Sequence, residues 1–170
     1  MPEAGGLASA MAGQPVPYME RTRLYYRALG YRSDYVWAHY ADVPFARLAK
    51  PLSACRVALV TTSSPLTAVR ADGSVAKQVW SGNVSPPPDK LHTDNVAWDK
   101  ESTHTRDRES FLPIETAAGL AREGRFAGLT EHFHGVPTEY SQRKTLEHDA
   151  PQVLTRLRDD GADAAILCPL

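Results

Sequence analysis

Apolar positions in this chain follow two patterns, one spaced like a helix face and one continuous. In VPYMERTRLYYRALG, Leu24, Ala28 and the Tyr25/Leu29 pair recur at helical spacing, which predicts a helix from about Pro17 to Leu29 with Gly30 as its C-cap. Pro44 and Pro51 then mark a loop. Cys55 to Thr62, CRVALVTT, reads as a strand. Its run Val57-Ala58-Leu59-Val60 does not alternate, so it suits a strand covered on both faces of a parallel sheet. The polar stretch Thr61 to Ser64 and then Pro65 end it.

The segment from about Asp72 to Arg108, with its Pro86-Pro87-Pro88 run, has no clear period. A short helix is predicted from Pro113 or Ile114 to Glu123, with Leu112, Ala117, Leu120 and Ala121 as its apolar side and Gly124 at its end. A second helix is predicted with Asp149 as N-cap, Pro151 in the first turn, and Val153, Leu154 and Leu157 inward. Gly161 closes it, and Ala162 to Leu167 reads as a second buried strand. Helix, glycine and buried strand form an α/β unit. The expected fold is an open, mostly parallel sheet of the Rossmann-like, doubly wound kind, incomplete in this chain. Residues 1–15 are expected to be a flexible leader, and 16–170 one α/β domain truncated at its C-terminus. An unfinished sheet edge favours an oligomer.

Composition narrows the function classes. The formal net charge is -1, from 19 basic and 20 acidic side chains, so no field draws nucleic acid or an anionic membrane. No apolar run approaches the roughly 18 residues of a membrane helix. Cys55 and Cys168 are the only cysteines and form no C-x-x-C pair, which points to a reducing, cytoplasmic setting rather than a disulfide framework.

Several segments, in order and at their spacing, carry a family resemblance. VPYMERTRLYYRALG, WAHYADVPFARLAKPLSACRVALVTT, WDKESTHTRDRESFLPIE, GLTEHFHGVPTEYSQRKTLEHDAP and LRDDGADAAILCPL are similar to the selenoprotein B subunits of the glycine/sarcosine/betaine/D-proline reductase type. The resemblance covers almost everything from Val16 to Leu170. It implies an oxidoreductase subunit that reductively cleaves a C–N bond in a small amino-acid-like substrate. It also implies other reductase subunits, one able to carry a pyruvoyl group, and a thioredoxin-like electron donor. No cofactor is expected in this chain. The family's selenocysteine or cysteine is expected just after Leu170, so this chain matches the portion that precedes the nucleophile. The alternative is a non-catalytic small-molecule or protein-binding module of the same fold.

Candidate residues follow from that chemistry and from the rule that ligands bind beyond the carboxyl ends of parallel strands. Thr61, Thr62 and Ser63 are candidate donors to a substrate carboxylate, or else turn residues before Pro65. His104 is a candidate acid for the leaving amine with Asp107 fixing its tautomer, or both belong to a hydrated loop. Glu139 and Tyr140 are candidates to face the cleft, or they open a helix behind Thr138. Cys168 is a candidate nucleophile, or a small residue finishing a strand. His132 and His134 share a face if extended, but no ligand spacing with His92 or His104 supports a metal, and none is expected.

Overall fold

The computed structural model describes residues 17–34, 36, 38–43, 46–94, 105–138 and 141–170. The chain divides into two compact units, Met1–Val43 and Pro44–Leu170. In the first, helix α1 (Tyr18–Ala28) has no buried residue, although its length matches the expectation. The predicted helix falls in the first of these units. The expected leader lies outside the described residues.

The second unit is built on β1 (Arg56–Thr61), β2 (Trp80–Asn83), β3 (Gly128–Leu129), β4 (His132–Gly135) and β5 (Ala164–Cys168). The central strand β1 runs parallel to β3, β4 and β5, and β2 lies antiparallel outside β4. Backbone bonds show which edge each neighbour takes. The carbonyls of Cys55, Val57 and Thr61 accept from Ala127, Thr130 and Val136, whereas that of Arg56 accepts from Asp163. Successive carbonyls of a strand point to opposite edges, so β3 and β4 share one edge of β1 and β5 holds the other. The molecule is an open α/β fold with a five-stranded, mostly parallel sheet.

Both faces of β1 are covered, as its unbroken apolar run implies. On one face Val57, Leu59 and Phe133 meet Phe111, Leu112, Phe126 and helix α2 (Ile114–Arg122), through Ile114 and Ala117. On the other, Val60 and Val79 meet Val153 of helix α3 (Ala150–Asp159), flanked by Val136 and Leu157. Gly124 and Gly161 end α2 and α3 with φ of +77° and +69°, the left-handed turn that glycine adopts without a Cβ penalty.

Four expectations need correction. Asp149 is not an N-cap: it has helical φ and ψ and caps nothing. The helical segment starts earlier, at Gln142, where the Ser141 hydroxyl accepts from the Lys144 amide at 3.3 Å, and a π-helical stretch Thr145–Asp149 leads into α3. Leu120 and Leu154 point to solvent, because Ile114/Ala117 and Val153/Leu157 already fill the space over the sheet. Pro113 stands just before α2 at the cap position. Finally, β5 is no buried strand: it is an edge, with Ile166 46% and Leu167 70% exposed. Its apolar residues are paired to β1 through the backbone, but no described helix covers their side chains.

Candidate functional site

The carboxyl ends of the parallel strands form one row. Thr61 of β1 pairs with Gly135 of β4 on one side and with Cys168 of β5 on the other, and Trp80 of β2 pairs with Gly135. The turns above this row are stitched together. The Leu170 amide donates to Thr62 Oγ1 at 2.8 Å, Thr138 Oγ1 donates to the Thr62 carbonyl at 3.4 Å, and Trp80 Nε1 donates to the Ser63 carbonyl at 3.1 Å. Ser64 exchanges two backbone bonds with His92. This shelf is where open α/β sheets take ligands.

The three proposed carboxylate donors do not share one role there. Thr61 and Ser63 are fully buried, their hydroxyls lie 3.1 Å apart, and the Ser63 amide donates to Thr61 Oγ1 at 3.3 Å. Those hydroxyls pair with each other and lock the turn. Thr62 is half-buried and its hydroxyl accepts from the segment following β5. Cys168 is half-buried against the first core, and burial pushes its thiol above the ordinary value. A protonated thiol is a poor nucleophile, so the geometry favours a packing role for Cys168.

Asp107 is likewise a cap. Its Oδ1 accepts from the Glu109 amide at 3.0 Å, and its carbonyl accepts from Ser110 Oγ at 2.7 Å. His104, Glu139 and Tyr140 lie outside the described residues. His132 and His134 do share a face of β4. Among the described residues no cluster of three His, Cys, Asp or Glu side chains is arranged to hold a metal ion. No described helix is long and apolar enough to cross a membrane.

Glu109 was not singled out from the sequence. Its Oε1 accepts from the Glu115 amide at 3.2 Å, and its Oε2 accepts from Thr116 N at 3.0 Å and Thr116 Oγ1 at 2.9 Å. The carboxylate thus closes the amino end of α2, where unpaired amides favour negative charge. Burial works to raise its pKa, but contacts with Glu115 and Thr116 outweigh it and bring it from 4.5 down to about 2. A depressed folded-state value means that this stabilisation is present above pH 4.5 and is lost as pH falls through about 2. Glu109→Ala is expected to cost ~1–2 kcal/mol at pH 7, the range for losing a helix cap. Urea titrations of both proteins check this, and the gap should shrink in acid.

No family model matches the chain, and no curated protein or solved structure matches it either.

Proposed function

We propose that this chain is the amino-terminal part of a selenol- or thiol-dependent reductase subunit of the glycine/sarcosine/betaine/D-proline reductase type. Its reaction would be reductive C–N cleavage of a small amino-acid-like substrate. The observation that carries the reading is the hold on the last residue: the Leu170 amide donates to Thr62 at the carboxyl end of the central strand. A residue following Leu170 starts from the shelf where α/β sheets bind ligands. A strand-to-helix turn there would offer a helix amino end, which lowers the pKa of a thiol. A selenol or thiol supplied there would provide the attacking atom. The residues of this chain would fix the turn beneath it, through Thr62, and keep Cys168 protonated and out of the chemistry.

A second reading is a non-catalytic small-molecule or protein-binding module of the same fold. One experiment separates the two. The genomic frame beyond Leu170 is read, the next codon is set to cysteine, and the longer protein is treated with iodoacetamide in its native state. The reductase reading expects a continuing frame and a thiol that alkylates faster at pH 7 than a free cysteine with pKa about 8.5. A stop with no frame beyond it, or a thiol inert in the folded protein, rejects that reading and leaves the binding module.

A further inference from the structure

The face of the sheet under α3 carries a polar chain that the reductase reading does not use. Ser81 on the outer strand β2 pairs with His134 on β4, and Ser81 Oγ lies 2.9 Å from His134 Nδ1. His134 Nε2 lies 3.3 Å from Asp160 Oδ2, and the other oxygen of Asp160 lies 3.0 Å from His132 Nδ1. Arg156 Nη1 donates to Ser81 Oγ at 2.7 Å, and Nη2 donates to the Val79 carbonyl at 3.3 Å. We propose that Ser81, His134 and Asp160 form a proton relay that makes Ser81 a nucleophile toward small carboxylic esters.

The hydrogen bonds assign the protons. A guanidinium only donates, so Ser81 Oγ accepts from Arg156 and can give its own proton to His134. If Nδ1 carried the proton instead, the lone pair of Nε2 would face the Asp160 carboxylate. The favoured tautomer therefore has Nδ1 as acceptor and Nε2–H toward Asp160, a serine–histidine–carboxylate proton order with the two ring nitrogens exchanged relative to the usual relay. His134 is fully buried, and its Nε2 and Asp160 Oδ2 each lack a hydrogen-bond partner among the described residues, each other included. Their 3.3 Å separation lacks good hydrogen-bond alignment, which is common in resting sites that tighten on binding. Burial pushes the His134 pKa down against the pull of Asp160, so the ring is neutral and free to take a proton near pH 7.

Ser81 itself is exposed. A shallow, open depression on α3, lined by Pro151, Gln152, Thr155 and Arg156, lies on the helix that carries the guanidinium. In the reaction, Ser81 Oγ bonds to the ester carbonyl carbon as its proton passes to His134. The carbon–oxygen bond to the alcohol breaks, and His134 returns the proton to the departing oxygen. Water then releases the acid by the same route. Arg156, whose Nη1 donates to Ser81 Oγ, sets a cation beside the attacking oxygen.

The test uses the full 170-residue chain. A fluorophosphonate probe is expected to label Ser81, as located by peptide mapping, and the chain to hydrolyse p-nitrophenyl acetate. Ser81→Ala should abolish the labelling, and Asp160→Asn should slow it at least tenfold. In a folded Ser81→Cys variant, iodoacetamide should react faster than with a free thiol, and its pH profile should be shifted to lower pH. Absence of label on Ser81, labelling unchanged in Asp160→Asn, or an introduced thiol of ordinary reactivity overturns the proposal. None of these outcomes bears on the frame beyond Leu170.

Discussion

Gly135→Ala is expected to destabilise the sheet unit by ~3 kcal/mol or more, at the upper end of overpacking costs. A Cβ at Gly135 would lie 1.8 Å from Trp80 Nε1 and 2.2 Å from Trp80 Cε2. The indole cannot yield cheaply. It stands edge-on to Phe133 with ring centroids 5.3 Å apart, and its Nε1–H donates to the Ser63 carbonyl. Moving the ring would break that bond and leave a carbonyl of the buried turn unpaired. Gly119→Ala is the internal control. Its Cβ meets nothing closer than Arg122 Nη2 at 3.8 Å, and it sits within α2. That change should stabilise by ~0.5–1 kcal/mol, because alanine loses less backbone freedom in a helix. Urea unfolding of the two variants should therefore move in opposite directions. A midpoint for Gly135→Ala equal to that of the parent would show that the indole does not lie over Gly135.

Phe133→Ala should cost ~3–5 kcal/mol, the range for emptying a buried aromatic site. Phe133 is fully buried and joins the first core to Trp80. Its ring also occupies the space above Gly82, where a Cβ would come within 2.5 Å of it. Neighbours held by the backbone ladders of β2 and β4 cannot collapse to fill such a space. Phe133→Leu keeps much of the volume and should cost clearly less. Equal losses for the two variants in denaturant unfolding would mean that the pocket does not select for an aromatic ring.

The contrast between β1 and its neighbours shows which parts of the fold were legible. Arg56–Thr61 was readable because a run of Val, Ala and Leu has one good solution, a strand buried on both faces. Trp80–Asn83 and Gly128–Leu129 were not read as strands: WSGN and GL contain no β-branched residue. They become strands through pairing with distant segments and through the fit of Trp80 over Gly135, which local composition does not encode. The shared face of His132 and His134 was visible from their spacing, but their common partner Asp160 lies on another element. The same limit applies to Glu109, whose role depends on which way the turn before α2 folds back. At the strand ends the reverse held. The rule located the shelf, but whether the Thr61 and Ser63 hydroxyls turn outward or toward each other is a matter of χ1.

The outer edge of β5 has a consequence for how the molecule behaves in company. Among the described residues β5 has β1 as its only strand partner, and Ala165, Ile166 and Leu167 are exposed. Such a border is a template for any extended peptide that drifts near, of its own kind or another. Crowding will therefore favour growth of the sheet past this strand, and dilution will oppose it.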